Sequence, residues 1–138
     1  MQPMTNMANV YKNQQIMTAP PEQLTLMLYN GAVRFVDESI AALEAKDFSR
    51  SNERNLRAQD IVTEFMLTLD MSYPVAEKWL PLYEYIKYRL IQGNIKKDKE
   101  QLAEARQMLM ELRDTWMQAM KLARADQQYT PLAQVVGR

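Results

Sequence analysis

The chain has 138 residues, with seventeen lysines and arginines balancing seventeen aspartates and glutamates, and neither histidine nor cysteine. That length supports one domain around one core, and the charge balance gives no electrostatic footprint for nucleic acid or an anionic bilayer. Disulfides, thiolate metal sites and cysteine nucleophiles are excluded, and the commonest general base and transition-metal ligand is missing.

Mean hydropathy is −0.43, and no apolar run approaches the ~18 residues of a membrane span. The first residues, Met1-Gln-Pro-Met-Thr-Asn, have neither the basic nor the apolar region of a secretory signal. The expected location is therefore the cytosol, without membrane insertion. Three glycines and eleven methionines point to long uninterrupted helices and a pliable apolar interior or surface.

In chain order, residues 1–18 are polar and without helical period, and read as an extended N-terminal arm with Tyr11 and Ile16 as its large apolar anchors. Residues 19–125 read as a bundle of four helices. The first opens at Pro20-Pro21-Glu22, where proline is tolerated because its missing N–H would be unpaired anyway. Leu24, Leu28, Gly31, Phe35, Ser39 and Ala42 form its core stripe, and Leu26, Tyr29, Val33, Val36 and Ile40 a second stripe beside it. Together they cover more than about 200° of the wheel, wider than an ordinary core-facing face. Either this helix is central to the bundle, or it holds one face for something else.

Lys46-Asp47-Phe48 breaks the pattern before a second helix, Ser49 to Leu69, with Ala58, Ile61, Val62, Phe65, Met66 and Leu69 inward and Leu56 and Leu67 opposite. After residues 70–74 the spacing predicts a third helix, Val75 to Gln92, burying Val75, Trp79, Leu82, Tyr83, Ile86 and Leu90. Pro81 predicts a kink there, or a turn before a helix starting at Leu80. Gly93-Asn94 reads as its stop. The fourth helix, Lys99 to Arg124, carries Leu102, Ala105, Leu109, Leu112, Trp116, Ala119, Met120 and Ala123 inward, with Met110 and Met117 off that stripe. Residues 126–138 read as an irregular tail. Short breaks between long helices describe an all-α, antiparallel up-down four-helix bundle.

No glycine-rich phosphate loop exists, because the glycines at 31, 93 and 137 are isolated. Glu100, Glu104 and Glu111 alternate with Lys99, Arg106 and Arg113 as on a solvated helix face, not as a cluster of metal ligands. Neither a cofactor nor a small-molecule substrate is indicated. A charge-based helical enzyme of the mutase type would need Arg34, Arg89, Gln59 and Glu64 pointing inward, and the wheel puts Arg34 on a polar side. A self-assembling structural bundle would use the same apolar stripes for its own copies. The apolar surplus on every helix, with Leu80, Tyr88 and Ile91 on the third, favours a module that binds an amphipathic helix in a groove. The groove residues expected from the wheels are Leu26, Tyr29, Val33, Val36 and Ile40, then Leu56 and Leu67, then Met110 and Met117.

Thr18-Ala-Pro-Pro-Glu-Gln-Leu-Thr-Leu-Met-Leu-Tyr-Asn-Gly31 resembles the first helix of the flagellar secretion chaperones of the FliS family. Asn52 with Leu56-Arg-Ala-Gln-Asp-Ile-Val62 resembles their second helix, Leu82-Tyr-Glu-Tyr-Ile86 with Arg89-Leu90 and Asn94 their third, and Leu102-Ala-Glu104, Leu112-Arg-Asp114 and Trp116 their fourth. Tyr11 matches a tyrosine of the family's arm. The resemblance implies a cytoplasmic, non-enzymatic export chaperone that holds the C-terminal segment of newly made flagellin. It would prevent premature polymerisation and keep the client ready for type III export. It implies docking on the cytosolic domain of the export gate, and an arm that covers a client groove when flagellin is absent. Gly93, in place of a more usual alanine, and Pro81 depart from the family pattern and put the end and continuity of the third helix in question.

Overall fold

A computed structural model describes residues 21–125; the arm with Tyr11, Ile16 and Thr18, and the tail 126–138, lie outside the described residues. The chain forms α1 (Pro21–Glu44), α2 (Phe48–Thr68), α3 (Ala76–Lys96) and α4 (Lys99–Ala125). Each helix packs on its sequence neighbours, and α4 closes back on α1, so the four stand in a ring. The order of cross-helix bonds shows the antiparallel sense. Glu44, Asp37 and Asn30, descending α1 in steps of seven residues, bond Lys99, Arg106 and Arg113, ascending α4 in the same steps.

The turns follow from local chemistry. After α1 the N–H of Asp47 donates to the Ala42 carbonyl at 2.8 Å, and after α3 the N–H of Asp98 donates to that of Gly93 at 2.9 Å. These bonds close the helix ends through a left-handed residue, Lys46 or Lys97. Asp47 then caps α2 by accepting from the Arg50 N–H at 3.1 Å. The third helix begins with tight bonds from Glu77 N–H to Pro74 O and from Lys78 N–H to Val75 O. It then runs without interruption through Pro81 to Lys96.

The continuity of α3 corrects the expected stop at Gly93. This glycine is buried inside the helix, and a Cβ there would stand 2.6 Å from Cδ2 and 2.9 Å from Cγ of Leu102. It serves close approach of α3 to α4, not termination. Val75 and Leu82 are also exposed instead of buried: Val75 precedes the helix, and Leu82 lies at its α4-side edge.

The core expected from the wheels is otherwise in place, with Phe35, Ile61, Ile86 and Trp116 all buried. Its centre is aromatic. Phe65 of α2 lies between Tyr29 of α1, with ring centroids 4.5 Å apart, and Tyr83 of α3, at 5.4 Å, and Trp79 meets Tyr83 edge-on at 6.1 Å. The Tyr29 and Tyr83 hydroxyls are hydrogen-bonded to each other at 2.7 Å across the diagonal of the ring. Trp116 donates its indole N–H to the Glu22 carbonyl at 3.0 Å. Where α1 meets α2, the buried Ser39 and Ser51 exchange hydroxyl-to-carbonyl bonds of 2.8 and 2.9 Å.

Burial, chiefly, lifts both Tyr29 and Tyr83 above the ordinary phenol value of 10.0, and for Tyr29 its neighbour Tyr83 adds to the effect. The folded state therefore holds these protons more tightly than the unfolded chain. Their contribution to stability should be complete below the unfolded phenol pKa of about 10 and fall as pH rises beyond it. Denaturant unfolding across alkaline pH should show this loss, and a Tyr29→Phe/Tyr83→Phe chain should lack that part of it. Gly31 is buried in α1, yet a Cβ there meets only Ile61 Cδ1, at 3.6 Å. Gly31→Ala should therefore raise stability by about 0.5–1 kcal/mol in the same assay.

Candidate functional site

The seams between helices differ in how they are sealed. Across α1–α4, Lys99 bonds Glu44 at 3.2 Å, Arg106 pairs with Asp37, and Arg113 donates to Asn30 at 3.1 Å. Across α1–α2, Arg54 lies 3.3 Å from Glu38. Across α3–α4, Arg89 pairs with Glu104 at 2.8 Å, donates to Gln101 at 3.0 Å and lies over the Tyr85 ring, whose hydroxyl also bonds Glu104. No salt bridge joins α2 to α3 among the described residues. That seam is tied by neutral amides: Asn94 donates to Asn52 at 2.8 Å, and the buried Asn55 to the Leu90 carbonyl at 3.1 Å.

The same seam carries exposed apolar side chains. Leu56 lies one turn beyond Asn52 and Leu67 three turns further, on the outer face of α2 next to its α3 edge. On α3, Ile91 and Ile95 flank Asn94, while Tyr88 stands on the outer face with its ring 6.5 Å from that of Tyr85. Leu56, Leu67, Tyr88 and Ile95 are 47%, 76%, 53% and 66% exposed. Asp60 of α2 lies within electrostatic reach of Lys87 of α3 without pairing with it. Partial burial raises the Asp60 carboxyl above its ordinary value, while Arg57 and Lys87 pull it back down. The result is a surface strip of exposed apolar side chains interspersed with Thr63, Glu84 and Lys87, the pattern an amphipathic helix can cover.

The expected groove on α1 is corrected. Tyr29, Val33 and Val36 are buried in the core, because α1 packs against α2 and α4 at once and its wide apolar arc is closed from both sides. Leu26, Ile40 and Met110 are partly buried against the same core. The seven-residue register of the α1–α4 bonds puts Leu26 level with Met117 and Val33 level with Met110, so these two stripes belong to one sealed seam. Met117 keeps an exposed edge. Of the expected groove residues, the α2–α3 strip retains Leu56 and Leu67. The groove list omitted Tyr88 and Ile91, whose surplus on the third helix was visible in the sequence, and also Ile95, hidden beyond the supposed stop at Gly93.

The arrangement for a charge-based enzyme is not formed. Arg34 is half exposed beside Glu38, Arg89 seals the α3–α4 seam, Gln59 bonds Asn55, and Glu64 is exposed. Among the described residues no cluster of carboxylates could hold a metal ion, and no helix is long and apolar enough to cross a membrane.

The profile of the family described as "Flagellar protein FliS" matches residues 4–123. The chain is 37% identical over 121 residues to the "Flagellar secretion chaperone FliS" of Bacillus subtilis (strain 168), covering 88% of this chain and 91% of that one. It is 27% identical over 114 residues to the protein of that name in Salmonella typhimurium, covering 80% and 84% of the two chains. With the Vibrio cholerae protein of that name it shares 26% over 106 residues, covering 75% and 78%.

Exposure and core membership make opposite demands, so substitutions separate them. Leu56→Glu and Leu67→Glu should each change unfolding free energy by no more than about 0.5 kcal/mol. Val36→Glu, which buries a carboxylate, should cost about 4 kcal/mol or more. Urea titrations would check both. A large loss with Leu67→Glu would place that side chain in the core instead of the strip.

Proposed function

The chain belongs to the FliS family of flagellar proteins, and we propose that it is a cytosolic, non-enzymatic export chaperone whose client is flagellin. On this reading the C-terminal segment of newly made flagellin, disordered while free, settles as an amphipathic helix on the α2–α3 strip. Its apolar face, once covered, is unavailable for premature polymerisation, and the client stays ready for type III export. Delivery is by docking of the loaded complex on the cytosolic domain of the export gate. The arm, with Tyr11 and Ile16, competes for the strip and lowers apparent client affinity by the fraction of time it is seated.

The observation that supports this reading is the set of exposed apolar side chains Leu56, Leu67, Tyr88 and Ile95 on the outer faces of α2 and α3, two helices that no salt bridge joins among the described residues. Full burial of one such side chain contributes about 1.5–3 kcal/mol. Even at half that value, the four together offset the ordering of a disordered segment, about 2–5 kcal/mol. Nothing has to be broken to use them. An occupant of α1–α4 would first have to displace Arg106 and Lys99 from their carboxylates.

Calorimetric titration with a C-terminal flagellin peptide tests the proposal. One-to-one binding with a negative heat-capacity change is expected, weakened about tenfold or more by Leu56→Glu/Leu67→Glu. Tighter binding by a chain lacking residues 1–18 is expected if the arm competes. Absence of binding to both chains, with concentration-dependent sedimentation, would instead assign the strip to a second copy.

A further inference from the structure

One end of the bundle carries features that neither the core nor the α2–α3 strip requires. The α1–α2 and α3–α4 turns lie side by side there and are built alike. Lys46 and Lys97 adopt the left-handed conformation with φ of 61° and 53°, where glycine or asparagine is the usual occupant. Attraction of a lysine to the helix C-terminus offsets part of that strain, but the same choice is made at both turns. An aspartate follows each lysine.

Of the carboxylates at this end, Glu44, Asp47 and Asp98 are engaged, and Glu100 is exposed without a side-chain partner among the described residues. Glu44 holds Lys99 at 3.2 Å, Asp47 accepts from the Arg50 N–H at 3.1 Å, and Asp98 accepts from the Glu100 N–H at 3.0 Å and the Gln101 amide at 3.2 Å. Lys46 and Lys97 make no ion pair among the described residues. Between the two turns opens a hollow of about 160 Å³, with Leu43 and Phe48 at its apolar side and Asn52, Asn94 and Lys97 around it. An adjoining depression extends it to Lys46 and Lys99. Phe48 is 46% exposed, with Lys97 Nζ 5.1 Å from its ring centroid.

We propose that this end of the bundle is a second docking site, taking an acidic segment of a partner protein. The segment places an apolar side chain against Leu43 and Phe48 and its carboxylates beside Lys46 and Lys97. The chain's own ends do not fit that chemistry. Residues 1–20 contain no aspartate or glutamate, and residues 126–138 contain one, Asp126. α4 runs from this end to Ala125, about 40 Å away at 1.5 Å per helical residue. The proposal does not rest on the chaperone reading: the hollow meets the α2–α3 seam at Asn52 and Asn94, and Leu56, Leu67 and Tyr88 lie outside it.

The test is amide chemical-shift mapping on the full chain, titrated with acetyl-Glu-Leu-Asp-Phe-Glu-Leu-amide and, as control, its analogue with lysine at every acidic position. Shifts are expected over residues 43–52 and 93–99 for the acidic peptide alone, weakening as salt rises. Lys46→Glu/Lys97→Glu should weaken binding about tenfold or more with only a small loss of thermal stability from the lost attraction at the two helix ends, and Lys46→Arg/Lys97→Arg should preserve it. Phe48→Ala should weaken binding without altering its salt dependence. Equal binding of the basic analogue, indifference to the charge reversal, shifts confined to the α2–α3 strip, or no shifts at about 1 mM peptide would each overturn the proposal.

Discussion

The hydrogen bond between the Tyr29 and Tyr83 hydroxyls fixes the geometry from which the rest of the molecule follows. It joins α1 to α3, helices that are not neighbours in the ring, at 2.7 Å. Either hydroxyl left alone in that interior would be a buried polar group without a partner, so the pair specifies one arrangement of the diagonal. Phe65 fills the space between the two rings and brings α2 into the same register. A slide or rotation of α3 would separate the hydroxyls and unstack Phe65 together. The candidate strip is therefore a surface between two helices whose relative position is set from beneath, by the core.

A formal charge of zero is not electrostatic indifference. Four of the eight ion pairs among the described residues join neighbouring helices along the seams, where each exposed pair contributes little alone, about 0–1 kcal/mol. Their value lies in specificity. The seven-residue ladder of Asn30, Asp37 and Glu44 against Arg113, Arg106 and Lys99 holds only in one register of α1 on α4. Sealing other seams with ions and leaving α2–α3 to amides makes the surface uneven, and that unevenness decides where an apolar partner can sit.

Much of this was legible in the sequence because helical periodicity reports burial. The second helix was read to within one residue at each end, and the buried faces of α2 and α4 were read almost completely. The end of α3 was misread because a glycine that stops a helix and a glycine that admits Leu102 look alike without the neighbouring helix. The wide apolar arc of α1 failed for a related reason. A wheel gives the angular width of a face but not the number of helices that cover it, and α1 is covered by α2 and α4 together. Leu26, Val33, Met110 and Met117 each read as surplus on their own helix. The antiparallel register reveals that they lie opposite one another.

The polar ties of α2–α3 fit a seam that must be usable without being taken apart. Asn52–Asn94 and Asn55–Leu90 lie toward one end of the two helices, and the aromatic column of Phe65 and Tyr83 lies toward the other. Between and beyond these anchors apolar side chains alternate with Gln59, Asp60 and Thr63 on α2 and with Glu84 and Lys87 on α3. An ion pair there would have to be desolvated or displaced by any apolar occupant, at a cost that grows as water is excluded. A neutral amide pair already satisfied at the seam's end imposes no such penalty. The absence of salt bridges on α2–α3 is thus compatible with a stable bundle, because the core beneath supplies the register that ions supply on the other seams.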